Sequence, residues 1–86
     1  MILAQVVGSV VSTCKNEKLA GYKFMIVQPI ENDKLKDSFF VAVDGVGAGI
    51  GEKVLIATGS AARLGIPNQE APVDATIVGI VDEKQG

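Results

Sequence analysis

A glycine-rich stretch in the middle of the chain, DGVGAGIGEKVLIATGSAAR at positions 44–63, limits the possible folds more than any other feature. Every second residue at its start is a glycine: Gly45, Gly47, Gly49 and Gly51. Without side chains, the backbone there can take positive φ angles and pass close to other atoms. An apolar segment, 53–58, follows at once and is typical of a buried strand. The stretch therefore predicts a tight loop that leads into a strand.

Period-two alternation of apolar residues predicts five strands in all. They are placed at 2–13, 22–30, 38–43, 53–58 and 75–82. Gly8 and Gly79 each fall in the middle of a strand, where glycine is typical of a bulge or a bend. The charged segment 31–37 is interpreted as a hairpin loop with Asp33 in its turn.

A short helix is predicted between the fourth and fifth strands. Ser60 can act as its N-cap, Ala61 to Leu64 continue it, and Gly65 is placed to end it. Strands with central glycines, joined by short loops, indicate a small and strongly curved barrel. The sequence therefore predicts an all-β fold, a five-stranded OB-like β-barrel that forms one domain over residues 1–86.

The composition limits both the core and the possible partners. Hydrophobic residues make up 48% of the chain and aromatic residues only 5%, so Val, Ile, Leu and Ala must fill the core. The mean hydropathy of +0.34 is high for a small monomer and favours an oligomer whose subunits cover apolar surface. The net charge of −2 argues against nucleic acid, because phosphate binding depends on clustered Lys and Arg.

Cellular location is indicated by the cysteine count and the N-terminus. Cys14 is the only cysteine, so an internal disulfide is impossible and a reducing compartment is expected. The first residues lack the basic start of a signal peptide, and no apolar run reaches the roughly 20 residues of a membrane span. These features predict a cytosolic protein.

Catalytic chemistry has few candidate residues. The chain contains no histidine, which removes Ser-His and Cys-His pairs and the commonest metal ligand. A single cysteine builds a zinc site only if several subunits each contribute it. Asp44 and Glu52 flank a loop and are interpreted as turn and surface acids instead of a catalytic pair. We therefore predict no catalytic residue, no metal site and no cofactor.

The glycine loop also fails as a nucleotide-binding fingerprint. In the pattern G-x-G-x-x-G, the third glycine would fall on Ile50 or Glu52, and a strand follows where a helix is needed. An OB-like barrel can still bind single strands through exposed aromatic residues in a basic groove. The phenylalanines lie in apolar strand contexts, however, and are interpreted as core residues: Phe24, Phe39 and Phe40.

Four segments of the chain, taken in order, carry a family signature. They are MILAQVVGSVVST at the start, VQPI at 27–30, AVDGVGAGIGEKVLIATGSAAR at 42–63 and PVDATIVGIVDE at 72–83. Together they resemble the EutN/CcmL family, the vertex proteins of bacterial microcompartments and carboxysomes. The resemblance spans nearly the whole chain.

The resemblance implies an OB-like barrel that assembles into a cyclic homopentamer and caps the corners of a polyhedral shell. Its partners would be copies of itself and the hexameric shell proteins of the flat facets, with no nucleic acid and no membrane. It implies a structural protein, not an enzyme, located in a microcompartment shell in the bacterial cytoplasm. The alternative is a free-standing OB-type module that binds a small ligand or single-stranded nucleic acid.

Under this resemblance, two stretches are candidate subunit contacts. In the glycine loop, missing side chains would let two backbones approach, and the candidates are Val46, Gly47, Ala48 and Gly49. The second stretch is Ser60, Ala61, Ala62 and Arg63. Arg63 could bond to a neighbour's carboxylate or carbonyl groups in a bidentate manner. The alternatives are a tight loop within one barrel and a solvated arginine at a helix end.

Overall fold

The computed structural model describes residues 1–10, 21–66 and 74–82. These residues form six strands: β1 (Ile2–Val10), β2 (Phe24–Glu31), β3 (Lys34–Leu35), β4 (Phe40–Asp44), β5 (Lys53–Thr58) and β6 (Ala75–Ile80). A 3₁₀ helix, Gly59–Gly65, follows β5. The predicted continuation of the first strand over 11–13 lies outside the described residues, as does Cys14. The predicted strand 53–58 has the observed bounds, and the other predicted strands differ from the observed ones by at most two residues at either end.

Five of the strands close into a barrel. β1 pairs antiparallel with β2 and with β5, β5 pairs with β6, and β2 pairs with β4. A short parallel pairing between β4 and β6 completes the circuit. The resulting order, β1-β5-β6-β4-β2 and back to β1, is a closed OB-like arrangement. The predicted all-β, five-stranded barrel is confirmed.

Two β-bulges bend the barrel beside the mid-strand glycines. In β1 the extra residue is Val7, between the paired Val6 and Gly8. In β6 it is Val78, directly before Gly79. A bulge increases the local twist and bends its strand, which a barrel of only five strands requires. The irregularities predicted at both glycines are confirmed.

The barrel interior is filled by non-aromatic apolar side chains from all five barrel strands and from the glycine loop. The buried members of this cluster are Ala4, Val6, Met25, Val27, Ala42, Ala48, Val54, Ile56 and Ile77. Among the described residues, no aromatic side chain belongs to that buried set, and Phe40 packs against its edge. Aliphatic packing of the core agrees with the low aromatic content.

The 3₁₀ helix packs on the outside of the barrel. Its Ala62 and the following Ile66 form a second buried cluster with Val43 of β4. The helix begins at Gly59, so Ser60 lies inside its first turn and not at the predicted N-cap position, and it ends at Gly65 as predicted. No helix in the described ranges is long and apolar enough to cross a membrane.

A projecting hairpin, residues 30–37, extends from β2 and is called the arm below. Its turn residues Asn32 and Asp33 have φ values of 52° and 62°, as a two-residue type I′ turn requires. The predicted hairpin loop, with Asp33 in its turn, is confirmed. In addition, residues 34–35 pair back onto β2 as β3.

One prediction about the core is wrong. Phe39 is 59% exposed, although its apolar context favoured the interior. Strand alternation in β4 directs Phe40 and Ala42 toward the core, so Phe39 and Val41 are left outside the barrel.

Candidate assembly surfaces

The glycine loop is held from one side by the carboxylate of Asp44. Its Oδ1 accepts hydrogen bonds from the backbone amides of Val46 at 3.0 Å, Gly47 at 2.9 Å and Ala48 at 3.1 Å. Gly47 has a φ of 79°, a conformation that side chains disfavour. Asp44 supplies the acceptor for the three amides, and Gly47 supplies the positive φ that lets them converge on it. The loop is therefore held by contacts within its own chain.

The other side of the loop is tied to Glu52 and to β1. The Oε1 atom of Glu52 accepts a hydrogen bond from the Gly49 amide at 2.6 Å. The Gly51 amide donates to the carbonyl of Val6 at 2.8 Å, and the Val6 amide donates to the carbonyl of Glu52 at 3.0 Å. Both carboxylates therefore serve as acceptors for backbone amides, in agreement with their interpretation as turn acids.

The start of the glycine loop contacts the end of the 3₁₀ helix at Gly45. A Cβ atom on Gly45 would lie 2.7 Å from the carbonyl oxygen of Gly65 and 3.0 Å from that of Ile77. The Gly45 amide also donates to the Ile77 carbonyl at 3.2 Å. The start of the glycine loop thus packs directly against the end of the 3₁₀ helix, so each candidate stretch lies next to this contact in the sequence.

Within the loop, the candidate residues differ in what they present to solvent. Val46 is 41% exposed, and Gly47 is exposed as well. Gly49 is half-buried, and Ala48 is buried in the core of its own barrel. Ile50, which was not among the candidates, is 67% exposed. Ile50 is a large apolar residue between two glycines, and this position could have suggested it as a candidate contact residue from the sequence.

The candidate residues of the helix stretch are likewise partly exposed and partly buried. Ser60 and Ala61 are exposed, whereas Ala62 is buried in the second cluster. The side chain of Arg63 lies outside the described part of the structure. Leu64, which the sequence analysis did not select, is 71% exposed.

An open, mainly apolar depression lies at the end of the barrel where β1 begins. Its lining residues are Ile2, Phe40, Val41, Thr58, Gly59, Asp74 and Ala75. Asp74 is the only ionisable residue among them, so the depression has no acid–base pair. In the described part of the chain, no three His, Cys, Asp or Glu residues are placed to hold a metal ion.

The structure is a small closed OB-like barrel with several large apolar side chains exposed on its outside. The family described as "Ethanolamine utilisation protein EutN/carboxysome" matches residues 1–82. The chain belongs to this EutN/CcmL family, and the resemblance drawn from its four segments is confirmed.

Curated relatives and solved structures agree on the kind of protein. The chain is 46% identical over 83 residues to the microcompartment shell vertex protein GrpN of Rhodospirillum rubrum, across 95% of this chain and 93% of the relative. It is 47% identical over 83 residues to the carboxysome shell vertex protein CcmL of Synechocystis, across 95% and 83%. A structure described as the GrpN pentameric microcompartment shell protein from Rhodospirillum rubrum matches with a TM-score of 0.87 and 42% identity, across 100% of this chain and 99% of that one.

Proposed function

We propose that this chain is a structural vertex protein of a bacterial microcompartment shell and that it forms a cyclic homopentamer. The observation that carries the proposal is its match, over the whole of both chains, to a relative described as a pentameric shell protein. Relatives are named as shell vertex proteins, and none of those names describes an enzyme. Residues 1–86 act as one EutN/CcmL-type barrel domain.

Shell geometry explains why a ring of five has a function of its own. Flat hexagonal tiles cannot close a surface, whereas pentagonal units at the corners supply the curvature. A head-to-tail contact that closes on itself after five copies makes such a unit. The partners of this chain are therefore its own copies and the hexameric proteins of the facets. Nucleic acid is not a partner, in keeping with the net charge of −2.

Within the ring, the glycine loop and the helix stretch contribute to subunit contacts. Val46 and Gly47, together with Ser60 and Ala61, offer exposed surface to a neighbour. Ala48 and Ala62 anchor the two segments to their own barrel, and Gly49 continues the loop. Arg63 pairs with a carboxylate or with carbonyl groups of the neighbour.

Native mass spectrometry of the purified protein across a dilution series tests the proposal. A pentamer that persists at low concentration supports it. A stable monomer would overturn it and would leave the ligand-binding OB-type module as the function to pursue. In cells without a substitute vertex protein, loss of this chain should give open or elongated shells, and normally closed shells would contradict the vertex role.

The contact assigned to Arg63 is tested by a pair of substitutions. Arg63→Glu should raise the concentration at which half of the rings dissociate by at least about 10-fold, because it replaces an attractive charge with a repulsive one. Arg63→Lys keeps the charge but loses the bidentate geometry, so its effect should be smaller. Unchanged dissociation in both variants would mean that Arg63 is a solvated residue outside the interface.

A further inference from the structure

Asp44 and Gly45 form the only Asp-Gly dipeptide of the chain. In such a dipeptide the glycine nitrogen can attack Cγ of the preceding aspartate, because no side chain on the glycine hinders its approach. A bond from the nitrogen to Cγ forms, and a bond from Cγ to a carboxyl oxygen breaks. The oxygen leaves as water, with the carboxyl proton and the amide proton, and a succinimide ring remains.

Opening of the succinimide ring can change the course of the main chain. When water adds to the main-chain carbonyl carbon of the ring, the bond from that carbon to the glycine nitrogen breaks. The product is isoaspartate, in which the main chain passes through the former side chain and gains one methylene group. The remaining carboxylate is attached directly to Cα. Water is the one co-reactant, and neither an enzyme nor a cofactor takes part.

The folded chain fixes the backbone on both sides of Asp44. The Asp44 amide donates to the carbonyl of Lys23 at 2.9 Å, and the Gly45 amide donates to the carbonyl of Ile77 at 3.2 Å. Asp44 also pairs with Ile77 in the parallel register of β4 and β6. Ring closure requires the Gly45 nitrogen to turn toward Cγ, so these strand contacts must break before the reaction starts.

The side chain of Asp44 and the space around Gly45 are fixed as well. Oδ1 of Asp44 accepts the hydrogen bonds of the amides of 46–48, and Oδ2 is buried. A Cβ atom on Gly45 would lie only 2.7 Å from the carbonyl oxygen of Gly65. The peptide group between Asp44 and Gly45 therefore has no room to rotate while the 3₁₀ helix stays in place.

We propose that the Asp44–Gly45 peptide is an isoaspartate site that the folded glycine loop closes and that opening of the loop exposes. A site that reacts only in an opened form reacts in proportion to the population of that form. Isomerisation also moves the carboxylate away from the three loop amides, so a chain that isomerises while unfolded cannot rebuild this loop. The reaction needs no neighbouring subunit, so the proposal is independent of the proposed ring.

Ageing of the full chain in two conditions tests the proposal. Samples are kept at neutral pH and physiological temperature, one in buffer and one unfolded in guanidinium chloride. Liquid chromatography of proteolytic peptides, with electron-transfer fragmentation, separates and identifies aspartate and isoaspartate at position 44. We expect isoaspartate to form at least about 100-fold more slowly in the folded chain than in the unfolded chain.

The remaining outcomes of the ageing experiment contradict the proposal. A smaller difference between the two conditions would show that the folded loop does not close the site. Absence of isoaspartate in the unfolded chain would show that the dipeptide has too little reactivity of its own to be a modification site.

A matched pair of substitutions at Glu52 tests whether loop opening controls the reaction. Glu52→Ala removes the acceptor that the Gly49 amide meets at 2.6 Å and should raise the rate in the folded chain about 3- to 10-fold. Glu52→Gln keeps an acceptor oxygen and should stay within about 2-fold of the wild type. All three chains should react equally fast in guanidinium chloride, and far-UV circular dichroism verifies the fold in buffer. Equal rates of the three folded chains would overturn the role of loop opening.

Discussion

The glycine loop and the arm lie at opposite ends of β4, yet they are stabilised in different ways. In the loop, the carboxylates of Asp44 and Glu52 bond four backbone amides, and Ala48 enters the barrel core. In the arm, residues 31–37 are all exposed and no side chain reaches the core. The loop is thus completed by its own chain, whereas the apolar side of the arm has no cover within it. Folding should therefore depend on the first region more than on the second.

The largest effect on folding is expected at Gly45. In Gly45→Ala, the new methyl group would meet the carbonyl oxygens of Gly65 and Ile77 at 2.7 and 3.0 Å, so the loop and the helix must separate. We expect the free energy of unfolding to fall by about 3 kcal/mol, the upper range for overpacked sites. Chemical denaturation at a fixed protein concentration measures it. Gly8→Ala is the control, because its methyl group would meet the Ile26 side chain at an ordinary 3.6 Å. Equal stability of the two variants would contradict the close approach.

Removal of the Asp44 carboxylate should have the next largest effect. Asp44→Ala leaves the amides of Val46, Gly47 and Ala48 without their acceptor, and we expect a loss of about 2 kcal/mol in unfolding free energy. Asp44→Asn keeps an oxygen that can accept the same bonds and should recover at least half of that loss. If the two variants lose the same stability, the Oδ1 acceptor is not what holds the loop.

The parts of the fold that depend on local signals were predictable from the sequence. Alternation located the strands of the barrel, and Gly8 and Gly79 marked the two bulges. The N-terminal end of the helix was misplaced by two residues, because the helix begins at Gly59, with a positive φ of 65°, and not at Ala61 after an N-cap at Ser60. The number of strands, their central glycines and the short helix before the last strand predicted the OB-like barrel, and the family signature implied the same fold.

The assembly surfaces were less predictable because they depend on register between distant strands. Phe39 was predicted to lie in the core. However, β4 begins at Phe40, and its alternation directs Phe40 inward and leaves Phe39 outside the barrel. Leu35 stands alone among charged residues, and only its pairing with Ile30 places it on an apolar face. Likewise, the contact between Gly45 and Gly65 joins two stretches that no spacing rule connects.

The smallest effect on folding is expected for Glu31, which offers an arm carboxylate to compare with Asp44 in the loop. The side chains of Lys36 and Glu31 are 47% and 65% exposed, so solvent weakens their ion pair. Glu31→Ala should therefore change the free energy of unfolding by less than about 0.5 kcal/mol. Its effect on ring dissociation should also stay below about 3-fold, because an exposed ion pair contributes little to either equilibrium. Denaturation and native mass spectrometry of the same sample check both values. A loss of stability as large as that of Asp44→Ala would show that the arm, too, is needed for the barrel to fold.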